Sequence, residues 1–253
     1  MMHLLDLFSG IGGFSLGLER SGAFKTVAFC EIEPYCQKVL AKHWPQVPIY
    51  DDVRTITADR LASDGITVDA ICGGFPCQDI SILGKGAGLA GERSGLWFEV
   101  ARLIRELEPR YVILENVSAL LSRGIDRVLG DLASLRYDAE WHCISAYAVG
   151  ASHRRDRVWI VAHTDKIGWE GLALRIEKRP KNFDTSCLEK ENFFRPPNLS
   201  VSMGRLYGDP SGGIHRLDDG VPSALDRLGA LGNSIVPQIP ELIGRAIAAR
   251  EAA

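Results

Sequence analysis

The chain has 253 residues, 46% of them hydrophobic, and a formal net charge of -3. That suits one large α/β domain with a small appendage, and the slight acidity argues against a general polyanion binder while leaving room for a local basic face. No apolar run approaches a membrane span, no leader with a cleavage site is read at the start, and the six cysteines lack zinc or CxxC spacing, so the expectation is a cytoplasmic protein with reduced thiols, no metal and no membrane partner.

In chain order, Leu4-Leu5-Asp6-Leu7-Phe8 reads as a buried strand. Ser9-Gly10-Ile11-Gly12-Gly13-Phe14 follows, then a helical pattern through Leu16, Leu18 and Glu19. Glycines between a strand and a helix let a ligand approach the backbone at a helix N-terminus. The G-x-G-G spacing misses the dinucleotide fingerprint by one glycine, and a tight structural turn is the competing reading. Thr26 to Cys30 reads as a second strand, ending in Glu31-Ile32-Glu33-Pro34. An acidic residue about twenty positions after a glycine-rich turn is where α/β proteins hold ribose hydroxyls. Glu31 fits that place, while Glu33 suits the N-terminus of a helix from Pro34 to His43. Ile49-Tyr50 reads as a third strand, ending in Asp51-Asp52-Val53. A carboxylate there accepts from an adenine amino group or caps a helix.

Val68 to Cys72 reads as a fourth, buried strand. Gly73-Gly74-Phe75-Pro76-Cys77-Gln78 then breaks it into a turn. A cysteine beyond the carboxyl end of such a strand stands where open α/β sheets bind ligands, and its thiolate can serve as a nucleophile. Residues 82–95 hold five glycines and read as a loop. Leu96 to Leu107 has helical spacing and ends before Pro109. Tyr111 to Leu114 reads as a fifth strand, ending in Glu115-Asn116-Val117, which brings Glu115 near Cys77 if the two strands are neighbours; Asn116 suits a helix cap. Ile125 to Leu135 is an amphipathic helix. Glu140 to Ala146 and Val158 to Val161 read as two strands, with Ser152-His153-Arg154-Arg155-Asp156-Arg157 between them. Alternation places His153, Arg155 and Arg157 on one face, and two arginines aimed together call for acceptors. From Lys166 to Arg216 there are nine Lys/Arg against six Asp/Glu, without sustained periodicity, which reads as a small irregular module or a long functional excursion. Leu231-Gly232-Asn233-Ser234-Ile235-Val236-Pro237 leads into a last helix, Glu241 to Arg250.

Gly73-Gly74-Phe75-Pro76-Cys77-Gln78-Asp79-Ile80-Ser81 resembles the catalytic motif of the DNA cytosine-5 methyltransferases. Asp6 to Phe14, Glu31, Asp52-Val53, Glu115-Asn116-Val117, Arg155-x-Arg157 and Gly232 to Pro237 match the same family in the same order. The resemblance implies a doubly wound, mostly parallel sheet that carries S-adenosylmethionine, with a small irregular target-recognition insertion before the last helix. Residues 1–163 and 228–253 would then be the catalytic domain and residues 164–227 the recognition segment. It implies that Phe8 and the Gly10, Gly12 and Gly13 turn line the cofactor site, with Glu31 on the ribose and Asp52 on the adenine. Ile32, Val53, Pro76, Leu96, Asn233 and Ser234 would complete the pocket. Cys77 would attack C6 of a flipped-out cytosine, Glu115 would contact N3 and the exocyclic amine, and Arg157 would hold O2 with support from Arg155. The implied product is S-adenosylhomocysteine and the implied substrate double-stranded DNA. A restriction nuclease is a candidate partner, and a monomer is the expected state.

The chain departs from the family at His153, where Gln is usual. Before the last helix, Arg216-Leu217-Asp218-Asp219-Gly220-Val221-Pro222 stands in place of the usual Arg-Leu-Gln-Gly-Phe-Pro. Methylation of tRNA cytosine is the alternative within the family, and its Cys-Phe-Thr stretch is missing here. A non-catalytic relative is disfavoured by the intact Cys77, Glu115 and Arg157, and a nucleotide-dependent oxidoreductase by the missing fingerprint.

Overall fold

Met2-His3-Leu4-Leu5-Asp6-Leu7 forms the first strand, β1, with every side chain but His3 buried, as expected of a strand covered on both faces. The computed structural model describes residues 1–76, 95–151, 155–164 and 234–252, and all of them lie in a unit drawn from Met1–Leu174 and Arg227–Ala253. The other unit, Arg175–Asp226, falls outside the described residues.

β1 is joined by β2 (Phe24–Cys30), β3 (Ile49–Tyr50), β4 (Ala70–Gly74), β5 (Tyr111–Val117), β6 (Tyr137–Ser145) and β7 (Asp156–Thr164). They form one seven-stranded sheet in the order β3-β2-β1-β4-β5-β7-β6. The first five strands pair in parallel, and β7 runs antiparallel to both β5 and β6. The helices are α1 (Gly13–Arg20), α2 (Pro34–His43), α3 (Ala58–Ser63), α4 (Leu96–Leu107), α5 (Leu120–Arg123), α6 (Ile125–Ser134) and α7 (Gln238–Glu251).

Each sheet face is covered by its own helices. On one face Phe14 and Leu18 of α1 and Ile239, Ile243 and Ile247 of α7 pack with Leu4, Ile113 and Val161. On the other, Val100 and Ile104 of α4 and Val128 and Leu132 of α6 pack with Leu5, Val112 and Ile160. Each of these side chains stabilises the fold by about 1.5–3 kcal/mol through burial. The expected doubly wound, mostly parallel architecture is therefore present. The direction of winding reverses between β1 and β4, and a ligand crevice opens beyond the carboxyl ends of strands at such a point. No helix among the described residues is long and apolar enough to cross a membrane.

Several elements differ from their sequence expectation. Gly73 and Gly74 do not break β4; they are its last two residues. A Cβ on Gly73 would lie 2.7 Å from the carbonyl oxygen of Leu7, so the glycine permits close approach of neighbouring backbone within the strand. Phe8 is not part of β1, because it takes a φ of 54°, outside the range of a strand. β5 continues through Glu115, Asn116 and Val117 because β7 pairs with it to the end. Arg157 is a strand residue for the same reason. The short helices α3 and α5 were not expected, since neither is long enough to show a period.

Candidate active site

The chain leaves β4 through Phe75, which is buried against the Trp97 ring with centroids 5.2 Å apart, and Pro76, which is exposed. Cys77, expected to be the nucleophile, lies outside the described residues, as do His153 and Asn233. What the structure does define is the segment leading into Cys77. Asn116 is 3% exposed, and its Nδ2 donates to the carbonyl of Phe75 at 2.9 Å. It is not the helix cap that its sequence position suggested. A side-chain amide inside a strand can cross-link a neighbouring loop, and this one holds the chain two residues before the cysteine.

Glu115 stands in register with Gly74 on one side and Trp159 on the other, so β4 and β5 are indeed neighbours. Glu115 is 8% exposed, and its carboxylate Oε1 lies 2.8 Å from Arg157 Nε. Burial pushes the Glu115 carboxyl above its ordinary value, while the positive charges of Arg157 and Arg155 pull it back. Burial, with the adjacent Arg157, lowers the Arg155 guanidinium from its usual value, against the pull of Glu115. Glu115, Arg155, Arg157, Trp159, Ser234 and Ile235 border one shallow, open cleft. The structure thus gathers four predicted site residues, from three separated stretches, around one space.

Phe8, Gly10, Gly12, Gly13, Glu31, Ile32, Asp52 and Val53 lie just beyond the ends of β1, β2 and β3. Ser9 Oγ donates to the carbonyl of Asp6 at 2.6 Å, and Glu31 accepts from the N–H of Gly10 at 2.6 Å and of Glu33 at 2.7 Å. Glu31 therefore ties the glycine turn to the end of β2. A carboxylate offers about four acceptor positions, so it retains capacity for ribose hydroxyls. Asp52 caps the turn Val53–Thr55 through the N–H of Arg54 at 2.9 Å, the capping role weighed from sequence. Its hydrogen bonds with Arg54 hold the Asp52 carboxyl below the usual range. Ile32 is 67% exposed beside Glu31, whereas Val53 is 3% exposed. Leu96 and Phe8 both pack, half-buried, on the core of the α4 face.

These residues fit an adenosine-bearing cofactor. Gly10 has a φ of +54° and open space where a Cβ would stand, so the turn can accept a ligand against its backbone. Gly12 and Gly13 have packing reasons as well. A Cβ on Gly12 would lie 2.6 Å from the Trp44 ring, and one on Gly13 would lie 2.7 Å from the carbonyl of Ile235.

Sequence reasoning assigned no role to Asp6 and Ser15. Asp6 is fully buried and accepts from Ser15 Oγ at 2.7 Å, tying β1 to the first turn of α1. Burial pushes its carboxyl up to about 7, against the Ser15 hydroxyl that pulls it down. A lone acid inside an apolar strand was the available signal.

Residues 2–211 match the C-5 cytosine-specific DNA methylase family. The chain is 37% identical over 169 residues to the type II methyltransferase M2.BsuMI of Bacillus subtilis, covering 64% of this chain and 42% of that protein. It is 28% identical over 194 residues to the type II methyltransferase M.HhaI of Haemophilus parahaemolyticus, covering 75% of this chain and 56% of that one. The chain thus spans about half the length of such relatives or less. Among solved structures it is similar to a candidate DNA modification methyltransferase encoded within a prophage of E. coli. There the TM-score is 0.57 at 26% identity, covering 68% of this chain and 49% of that one.

Proposed function

Because the chain belongs to the C-5 cytosine-specific DNA methylase family, we propose that it transfers the methyl group of S-adenosylmethionine to C5 of a cytosine in double-stranded DNA. S-adenosylhomocysteine is the product. The observation that carries this reading is the buried Glu115–Arg157 pair, one strand away from the segment that leads into Cys77. Cytosine C5 is a poor nucleophile until a thiolate adds at C6, and the base must leave the stack to be reached. Cys77 supplies that thiolate. Addition at C6 places electron density on N3, and a carboxyl that burial keeps above its ordinary value is suited to offer a proton there. Arg157, with Arg155 beside it, presents donors to the O2 carbonyl.

When bound, S-adenosylmethionine supplies an electrophilic methyl group. Phe8, Gly10, Glu31 and Asp52 would hold its adenosine, and Ile32, Val53, Pro76, Leu96, Asn233 and Ser234 would complete the pocket. After transfer, C5 gives its proton to solvent water, N3 returns its proton to Glu115, and the bond from C6 to Cys77 breaks with its electron pair on sulfur, which restores the aromatic ring.

In this reading residues 164–227 read the DNA sequence while residues 1–163 and 228–253 carry the chemistry. The segment's local positive charge supports that division, since phosphate contacts draw on Lys and Arg. The protein would work as a cytoplasmic monomer, with a restriction nuclease as a candidate partner. Bisulfite sequencing of plasmid from cells expressing the chain tests the activity, with protected cytosines expected at one recurring sequence. Duplex DNA carrying 5-fluorocytosine, with S-adenosylmethionine present, tests the nucleophile: the wild-type chain should form an adduct that survives denaturing electrophoresis. Trapping by Cys77→Ser would remove Cys77 from the role.

A further inference from the structure

The geometry points to Arg102 as a positioning residue for the adenine end of the cofactor site, a role that rests on the assignment of Asp52 to the adenine. Arg102 lies in α4, and its guanidinium is engaged on three sides. Nε is 2.7 Å from Glu99 Oε2 and Nη1 is 2.9 Å from Glu106 Oε1, both on the same helix. Nη2 reaches out of the helix and donates to the backbone carbonyl of Val53 at 3.2 Å. Ion pairs three and four residues apart support a helix modestly and need no third partner. The contact with Val53 is what this arginine does beyond its own helix.

That contact falls on the peptide that orients Asp52. The carbonyl of Val53 and the N–H of Arg54 belong to one planar unit. Arg102 holds its carbonyl end, and Asp52 Oδ1 accepts from its N–H end at 2.9 Å. Rotation of the plane would break both bonds together and leave the Asp52 carboxylate held only by the Arg54 guanidinium, whose Nε lies 3.0 Å from each oxygen and whose Nη2 lies 2.8 Å from Oδ2. Glu106 extends the grip, because its second oxygen accepts from the N–H of Ala58 at 3.2 Å, where α3 begins. α4 therefore clamps the turn that presents Asp52 at its start and just beyond its end. Three acceptors around one cation call for the planar fork of arginine, which the ammonium of lysine lacks. Leu96, assigned to the same pocket, starts this helix, so α4 would contribute to the cofactor site at both a lining and a positioning residue.

The test is calorimetric titration of the full chain with S-adenosylhomocysteine and with 5′-methylthioadenosine, alongside thermal melting. Arg102→Met should weaken both ligands about tenfold, the loss of one well-placed hydrogen bond to the purine. In an Asp52→Ala background the same change should weaken binding less than about twofold, because the carboxylate it positions is gone. Arg102→Lys, which keeps a charge between the two glutamates without the fork, should weaken binding about threefold and serves if the methionine variant does not fold. Wild-type affinity in the Arg102 variants overturns the inference while Asp52→Ala still weakens binding. An Arg102→Met effect that persists undiminished in the Asp52→Ala background overturns it too. Unchanged affinity in Asp52→Ala itself removes the Asp52 assignment, and the inference falls with it.

Discussion

Arg157 of β7 stands 2.8 Å from Glu115 of β5, with the two side chains only 23% and 10% exposed. The pair joins a parallel strand to its antiparallel neighbour at the mouth of the proposed base pocket. Removing one partner leaves a buried charge uncompensated, which costs more than the pair contributes. Arg157→Met should destabilise the protein by about 2–3 kcal/mol at neutral pH. It should also lift the Glu115 carboxyl further, since Arg157 is the largest influence opposing burial. A raised carboxyl gives stability that is full below its unfolded value and lost as pH rises through its folded value. Urea unfolding of Arg157→Met should therefore show a larger loss between acid and neutral pH than the wild type. Glu115→Gln in the same background should recover most of it. No methyl transfer is expected from either single variant at more than a small fraction of the wild-type rate.

Asn116 holds the carbonyl of Phe75 at 2.9 Å from a position 3% exposed. Asn116→Ala leaves that carbonyl without its partner and should cost about 1–3 kcal/mol. The segment entering Cys77 should also lose its orientation. The turnover number should fall at least about tenfold, while the affinity for S-adenosylhomocysteine stays near wild type, since Asn116 lies away from Glu31 and Asp52. Single-turnover methylation together with calorimetry separates the two effects. Equal losses in both would mean that the whole sheet end had shifted.

Asp6 gives a second pH dependence with its own window. Burial lifts its carboxyl from an ordinary 3.8 to about 7. The stability due to its protonated form is full below about pH 4 and declines as the pH rises through about 7. A tenfold change in proton affinity between the folded and unfolded chain is worth about 1.4 kcal/mol, so the wild type should lose on the order of 4 kcal/mol across that window from this group. Asp6→Asn removes the titration and keeps an acceptor for Ser15. Its stability should be flatter from pH 5 to pH 8 than that of the wild type, as read by denaturant unfolding. Parallel curves would mean that Asp6 is not the titrating group.

The glycines of the first turn should respond differently to substitution. Gly13→Ala drives a Cβ to 2.7 Å from the carbonyl of Ile235, a backbone atom that cannot step aside, and should destabilise by about 1–3 kcal/mol. Gly10→Ala meets nothing in the folded chain but must hold a φ of +54°. That change should cost about 1 kcal/mol of stability yet weaken cofactor binding more than Gly13→Ala does. Melting temperatures compared with dissociation constants for S-adenosylhomocysteine decide between the orders.

The sequence alone determined the fold class. Apolar runs such as Leu4-Leu5 and Val112-Ile113-Leu114 bury on both faces, and the amphipathic segments between them have only the two faces of a parallel sheet to cover. It also marked Glu31 and Glu115, because a charge at the end of an apolar strand is costly to bury without something for it to meet, and Arg155 and Arg157, because two arginines on one face call for acceptors. Only the tertiary structure decided what these groups touch. Gly73 and Gly74 looked like a strand break, since propensity registers a glycine's freedom and not the Leu7 carbonyl lying 2.7 Å from where a Cβ would be. Asn116 looked like a cap, since its partner, the carbonyl of Phe75, comes from another strand end. Arg102 and Asp6 carried no role of their own in the sequence. Their partners Val53 and Ser15 become neighbours only when helices settle on the sheet. Hydrophobic periodicity is a property of consecutive residues and survives in the sequence. A hydrogen bond between distant residues depends on register and on the placement of α4 and α1, which no local pattern encodes.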